Sequence, residues 1–321
     1  MPLDAPAVKH LARDCGFDLC GVAPAEPFPE LAHLSAWLAR GFAGDMAWMA
    51  RTAAKRMDPR LVLPSARAIV ALGTLYNTDR PYSTEIADPH RAAISRYAWG
   101  EDYHLAIERR LDALVARMQQ AHGEPFEYRR YVDTGPVQER AVAARAGLGW
   151  IGKNACLINP AQGSWFFLSV ILCSVPLSPD TPEADHCGTC TLCLEACPTQ
   201  AFDAPGQLDA TRCLSYLTIE TRGPLDERWH AALGTHVYGC DVCQEVCPFN
   251  QAPPVSDDPA WQPRPAFDGV SLAELAARDD EQWRESLRRS AMKRTGVAGL
   301  RRNVAVALAN ARRAHGSAGE G

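Results

Sequence analysis

The stretch "CGTCTLCLEACP", residues 187–198, sets four cysteines at intervals of three, three and four residues and closes on a proline. A shortened copy, "CDVCQEVCP", returns at 240–248. Such a run is the spacing of a bacterial ferredoxin: three thiolates of one loop face a single [4Fe-4S] cubane, and the fourth turns away toward a second cluster. The second run lacks one member, and Cys213, which lies between the runs, supplies it. Eight cysteines thus make two sets of four. The spacing assigns one cluster to Cys187, Cys190, Cys193 and Cys247 and the other to Cys197, Cys213, Cys240 and Cys243. Structural zinc, usually held by two separated Cys pairs, is the alternative. It gives no reason for four cysteines in one run with a trailing proline, repeated. Cys15, Cys20, Cys156 and Cys173 stand outside the runs and read as small core residues.

Working outward, two Pro-rich acidic segments flank the runs, "PLSPDTPEAD" at 176–185 and "APPVSDDPAWQPRP" at 252–265, and both read as linkers. They divide the chain into residues 1–178, 179–255 and 256–321. In the first part helical and strand signals alternate. "AVKHLARDCGF" and "HLSAWLARG" are helix-like, and "YHLAIERRLDALVARMQQ" sets Leu105, Leu111, Leu114, Val115 and Met118 on one helical face. "ARAIVALGTLY", "FEYRRYVD" and "SWFFLSVIL" read as strands, so a mixed α/β (α+β) layer structure is expected. Past the second linker, Trp283, Leu287 and Ala291 recur every four residues, as do Leu300, Val304 and Leu308, which predicts two amphipathic helices separated near Gly296.

A chain of 321 residues with 47% hydrophobic and 22% charged residues has the composition of a folded globular protein with more than one core. Its longest apolar stretch, "SWFFLSVILCSVPL", is too short to span a bilayer and contains a proline. The N-terminus has neither a basic leader nor a continuous apolar core. Twelve cysteines are therefore expected in the reducing cytoplasm, where thiols bind metals or stay free. The net charge of -5 is polarised: between Arg284 and Arg313 stand nine basic residues and one acid, against 24 and 37 elsewhere. A pair of clusters makes an electron relay, and the terminal acceptor is not legible from spacing. "GLGWIGKN" at 147–154 has three glycines at the wrong intervals for a dinucleotide fingerprint and no phosphate-loop frame.

"YVDTGPVQERAVAARAGLGWIGKNACLINPAQGSWFF" at 131–167, taken with both cysteine runs, "CLSYLTIE" at 213–220 and "GCDVCQEVCPFN" at 239–250, closely resembles the epoxyqueuosine reductases. "KRMDPRLVLPSARAIV" at 55–70 and "RYAWGEDYHLAI" at 96–107 extend the likeness over nearly the whole chain. The resemblance implies the last step of queuosine synthesis on tRNA, with cobalamin as the electron acceptor, held in an N-terminal domain similar to that of reductive dehalogenases. It also implies a ferredoxin-like two-cluster domain and a C-terminal α-helical, HEAT-like segment that helps hold tRNA. That segment is short here. An external electron donor such as a flavodoxin or ferredoxin, no membrane and a monomeric protein complete the expectation.

Removing the epoxide oxygen takes two electrons and two protons, so an acid must stand near it. With the resemblance, Asp133 is the candidate, at the end of a predicted strand and before "TGP"; burial beside an apolar corrin would keep it protonated. Without the resemblance it reads as a turn-forming Asp. The matched blocks imply cobalamin contacts at Arg56, Tyr97, Asp133, Gly152, Lys153, Asn154, Leu157 and Asn159. His104 reads as a helix-start histidine and not as a cobalt ligand. Arg222, Lys293, Arg294, Arg301 and Arg302 are expected to meet tRNA phosphates. Three rival readings remain: a small-molecule reductive dehalogenase, a plain two-cluster electron carrier, and a nucleic-acid-binding protein with structural clusters.

Overall fold

The computed structural model describes residues 3–318. The strand Ala68–Leu75 is buried at every position and pairs antiparallel with Leu19–Pro24 on one side and Phe166–Cys173 on the other. Tyr128–Tyr131 closes the far edge, so the four strands run in the order 19–24, 68–75, 166–173, 128–131. Side chains alternate across the sheet. Ala68, Val70 and Leu72 meet the helices Ala5–Asp14 and Tyr103–His122 through Val8, Ala12, Ile107, Leu111, Leu114 and Met118. Ile69, Ala71 and Leu75 meet Pro29–Ala39 and Glu139–Arg145 through Leu31, Val142, Ala143 and Ala146. Both faces are covered. That is why two of the expected strands read as unbroken apolar runs, without the alternation of a half-exposed strand.

The three expected strands form, and a fourth, Leu19–Pro24, was not foreseen. Its "LCGVAP" carries Gly21 and Pro24, which read as breakers. Gly21 is required because a Cβ there would strike the Ala146 carbonyl, where the helix Glu139–Arg145 ends directly on the strand. In Tyr103–His122, Leu111, Leu114, Val115 and Met118 face the core as expected, whereas Leu105 is 36% exposed and Ala106 and Ile107 take the core side at the helix start.

The second core joins parts of the chain far apart in sequence. His236–Tyr238 pairs with Ala93–Ile94, and Leu214, Leu217, Tyr238, Trp283, Leu300 and Val304 pack as one cluster with Ile94 and Ala98. The expected helix through Trp283, Leu287 and Ala291 is interrupted. Asp280–Leu287 ends, Arg289 turns through a positive φ of 55°, and Ala291–Arg294 is a separate 3-10 turn. The helix Gly296–Ala318 starts where expected, and Leu272–Ala277 precedes the pair.

Neither Pro-rich segment hangs free. Asp180 accepts from Val22 N at 2.9 Å and pairs with Lys9 at 2.5 Å. Trp261 is 2% exposed and packs on Phe167, and Arg110 pairs with Asp258. Prolines that suggest a linker here straighten straps laid across the sheet's helices. Among the described residues no helix is long and apolar enough to cross a membrane.

Candidate functional site

The fold gathers the seven run cysteines and Cys213 into two groups. Cys193 has Cys247, Cys187 and Cys190 as electrostatic neighbours; Cys240 has Cys213 and Cys197, and Cys243 faces Cys240 and Cys213. Burial and the neighbouring thiols push Cys193 up to about 11 and Cys240 well above the ordinary thiol value. Thiols so placed give up their protons to a strong positive charge, as a bound metal provides, so they suit iron-sulfur ligation. None of the twelve cysteines is paired in a disulfide. Among the described residues no His, Cys, Asp or Glu set closes on a single metal ion. Cys156, expected as an ordinary core residue, instead hydrogen-bonds Cys243 and forms part of the second group's wall.

A hairpin, Trp150–Ile151 paired with Leu157–Ile158, binds both thiol groups. Trp150 Nε1 donates to Cys187 Sγ at 3.4 Å. Lys153 Nζ donates to the Gly188 and Cys190 carbonyls at 2.6 and 2.9 Å, and Asn154 Nδ2 to the Cys243 carbonyl at 3.1 Å. Asn154 Oδ1 accepts from Cys156 N, while Asn159 ties Leu148 to Ala161 and Gln162. Lys153, Asn154 and Asn159, expected as cofactor contacts, thus spend most of their polar atoms inside the fold. Lys153 keeps one donor. Leu157 is 3% exposed, so it backs the hairpin from within, and Gly152 lies where a Cβ would meet Ile158.

The hairpin leans on the helix Glu139–Arg145, since Arg140 donates to the Ala155 carbonyl. The preceding residue, Glu139, accepts from Asp133 N at 2.8 Å. This chain of contacts sets Asp133 next to the cluster-bearing part. Asp133 Oδ2 accepts from Tyr103 OH at 2.8 Å and lies 3.5 Å from His104 Nε2, which has no closer partner. His104 Nδ1 lies 2.7 Å from Asp102 Oδ1, and Lys293 Nζ lies 3.1 Å from Asp102 Oδ2. The Tyr103 ring stacks between His104 at 4.0 Å and Phe167 at 4.6 Å. Tyr97 meets Tyr103 edge-on, and its hydroxyl donates to Tyr238 OH at 3.1 Å. Arg56 donates to Thr52 Oγ1 and the Val137 carbonyl, and its charge acts on Glu139 and Asp133.

Asp133 keeps 64% of its side-chain surface while ringed by these groups, so it forms the floor of an open cleft. The cleft walls raise its pKa by desolvation, but the His104 and Tyr103 hydrogen bonds outweigh them and hold the carboxyl below its ordinary value. The protonation expected of Asp133 depends on an apolar corrin beside it; the chain's own groups favour the carboxylate. The proton resides beside it: burial opposes the charged His104 ring, yet Asp102 and Asp133 lift its pKa to about 9. Burial also resists ionisation of Asp102, but His104 and Lys293 bring it to about 2. Glu139 rises to about 8 through burial and then the Asp133 charge.

The basic residues divide. Lys293 reaches Asp102, and Arg294, paired with Glu220 at 2.9 Å, also acts on Asp133, so this end of the basic segment borders the cleft. Arg222 ties the Ile219 and Arg294 carbonyls, and Arg301 pairs with Asp280 at 2.7 Å. Arg302 spends its guanidinium on the Leu217, Thr221 and Gly223 carbonyls. As the chain stands, Arg302 fastens the helix, and its expected phosphate contact is corrected to that role. Asp102, Tyr103 and Glu139 went unnoticed in the sequence. Asp102 was signalled only as the helix cap in "EDYH", and Glu139 by nothing but its place after "YVDTGPVQ".

As to fit, the thiol groups suit two clusters. Arg56, Tyr97 and Asp133 converge on a cleft that the 150–158 hairpin joins to those thiols, and the residue types suit a large amide-rich cofactor. That fit rests on Arg56, Tyr97, Asp133 and the hairpin backbone more than on the amides of Asn154 and Asn159.

Residues 56–134 match the family model described as "Epoxyqueuosine reductase QueG, DUF1730", and residues 186–250 match a 4Fe-4S double cluster binding domain. The chain is 44% identical over 315 residues to the epoxyqueuosine reductase of Xanthomonas campestris pv. campestris, covering 97% of this chain and 88% of that one. It is 43% identical to that of Synechocystis sp., covering 88% and 98%. Among solved structures, an epoxyqueuosine reductase with an epoxyqueuosine-modified tRNA-Tyr stem loop superposes with a TM-score of 0.86 at 33% identity, over 95% of this chain and 81% of that one. The Bacillus subtilis epoxyqueuosine reductase, with its aspartate-bearing catalytic loop swung out of the active site, gives a TM-score of 0.83 at 32% identity, over 95% and 81%.

Proposed function

This chain belongs to the epoxyqueuosine reductase family, and from that premise we propose that it reduces epoxyqueuosine to queuosine at the wobble position of the tRNA anticodon. The reaction is the last step of queuosine synthesis. One observation carries the reading: Asp133 lies between the hairpin that binds both thiol groups and the Lys293–Arg294 end of the basic segment. An electron path, a proton donor and a phosphate-binding surface thus meet at one cleft.

Cobalamin, when bound, would supply a strongly reducing cobalt that accepts electrons one at a time. Arg56, Tyr97, Asp133, Gly152 and Leu157, with the remaining Lys153 donor, would hold it, while Asn154 and Asn159 fix the loops behind. Cys187, Cys190, Cys193 and Cys247 would hold one [4Fe-4S] cluster, and Cys197, Cys213, Cys240 and Cys243 the other, close enough together to pass electrons singly. Asp133 gives a proton to the epoxide oxygen, which leaves as water after two protons and two electrons have arrived. Tyr103 and His104 orient the Asp133 carboxyl from one side, and Glu139 fixes its backbone from the other.

The Bacillus subtilis relative supports the Asp133 role, since a catalytic loop identified by an aspartate is named for it. The helices 272–318 would serve as the HEAT-like segment, with Lys293, Arg294, Arg301 and Arg222 toward the tRNA backbone. The wobble base would be splayed into the cleft, as enzymes acting on a base require. A monomer in the cytoplasm, reduced by a flavodoxin or ferredoxin, completes the proposal. The test incubates the anaerobically reconstituted protein, a chemical reductant and epoxyqueuosine-containing tRNA with and without cobalamin, followed by nucleoside mass spectrometry. Cobalamin-dependent loss of one oxygen supports the reading; no conversion with intact clusters and bound cobalamin moves it to a small-molecule reductase.

A further inference from the structure

Two protons must reach one departing oxygen, yet only one side chain of the candidate set, Asp133, stands at the cleft floor. A carboxylic acid carries a single proton. Behind Asp133, three side chains from two segments stand in line. Lys293 of the turn Ala291–Arg294 contacts Asp102 Oδ2 at 3.1 Å, and Asp102 Oδ1 lies 2.7 Å from His104 Nδ1. His104 Nε2 lies 3.5 Å from Asp133 Oδ2, buried and otherwise unpartnered.

We infer that His104 is the positioning residue that recharges Asp133, passing the proton on Nε2 to Oδ2 so that Asp133 delivers both protons of the reduction. The inference rests on the proposed function. A carboxylate behind an imidazole fixes its tautomer, directs the far nitrogen outward and stabilises the charged ring. Asp102 is suited to this because it is almost wholly buried, is anchored by Lys293 and caps the very helix on which His104 sits. The groups facing His104 are Asp102 and Tyr103 of that helix start, Asp133 and Glu139 across the cleft, and Lys293 and Arg294 from the C-terminal turn. Two carboxylates in direct contact outweigh burial, and the ring's pKa of about 9 keeps it charged at neutral pH.

Because Asp133 rests ionised, His104 first passes the Nε2 proton to Oδ2 and is reprotonated from solvent; Asp133 then protonates the epoxide oxygen as one C–O bond breaks, and two electrons arrive singly through the clusters from a flavodoxin- or ferredoxin-type donor. Asp133 then takes the Nε2 proton and hands it to the same oxygen as the second bond breaks, releasing water. The neutral ring regains a proton from solvent. Lys293 ties this line to the basic segment.

The experiment measures single-turnover rates with an epoxyqueuosine-modified tRNA stem loop across pH. In the wild type the rate should stay level from about pH 6.5 to 8.5, because the charged ring refills Asp133 throughout. In His104→Gln the rate should fall about tenfold per pH unit over that range, since Asp133 must then collect each proton itself. The stem-loop concentration giving half-maximal rate should be unchanged. A uniform loss with the wild-type pH shape overturns the inference, as it would reflect a structural role alone. Independently of turnover, 15N-histidine NMR of the cluster-loaded protein should show the His104 ring charged at pH 8 and neutral in Asp102→Asn. A neutral ring in the wild type, or a ring unchanged in Asp102→Asn, also overturns it. Wild-type protein that titrates as described but converts no epoxyqueuosine sinks the proposed function and leaves the charged histidine standing.

Discussion

Asp133 occupies the left-handed region at φ 59°, which costs a non-glycine residue about 1–3 kcal/mol and is tolerated best by Asn and Asp. The hydrogen bonds to Tyr103 and Glu139 hold it there, so the loop is fixed at the residue whose carboxyl the chemistry needs. Asp133→Asn keeps both the shape and the left-handed preference but removes the ionisable proton. It should retain clusters and cofactor binding and lose about 10²–10⁴-fold in turnover, measured under single-turnover conditions; near-normal turnover would refute the role. Glu139 invites a different test. Its folded pKa of about 8 lies above the unfolded carboxylate value, so the folded state binds the extra proton and stability falls as pH rises from about 4.5 to 8. Glu139→Gln should flatten the pH dependence of the thermal midpoint across that window. An unchanged slope would show that the carboxyl is already ionised.

At the scale of elements, two junctions decide whether the site assembles. The helix Gly296–Ala318 carries Asn303, fully buried, whose Nδ2 donates to the Thr218 and Val237 carbonyls at 2.8 and 2.9 Å. Asn303→Ala strands two buried acceptors and should cost about 1–3 kcal/mol by denaturant unfolding; a change under half that would mean that water replaces the amide. The hairpin at 150–158 is the other junction. Lys153→Met removes the clamp on the Gly188 and Cys190 carbonyls. Iron retention at the Cys187 loop should drop further than cobalamin affinity. The opposite order would restore Lys153 as chiefly a cofactor contact.

For the molecule as a whole, the net charge of -5 hides a basic C-terminal segment that is part fastener and part exposed surface. Arg301, 45% exposed and paired with Asp280 and the Arg278 carbonyl among the described residues, can turn to a phosphate. Arg301→Glu should weaken tRNA binding and reduce the slope of log affinity against log salt by about 1, whereas Arg302→Gln should lower the thermal midpoint. If Arg301→Glu left both affinity and salt slope unchanged, the basic segment would not meet tRNA.

Several features were fixed by local chemistry and so were legible in the sequence. Iron-sulfur spacing is set by the reach of thiolates from one loop, the buried strands by unbroken apolar runs, and the helix start near Gly296 by periodicity and a glycine. The Asp133 assignment came through family likeness, for a lone Asp before a turn carries no chemistry of its own. What only the tertiary structure decided lies in contacts between distant segments. Asp102, His104, Asp133 and Lys293 become one line although 191 positions separate Asp102 from Lys293, and Cys156 comes to rest on Cys243. The same long-range packing spent Arg302, Asn154 and Asn159 on backbone carbonyls and amides, and it left the proton on His104 and not on Asp133. A side chain's partners and its charge state depend on which groups the fold brings within a few ångströms, and neither is encoded in its sequence neighbours.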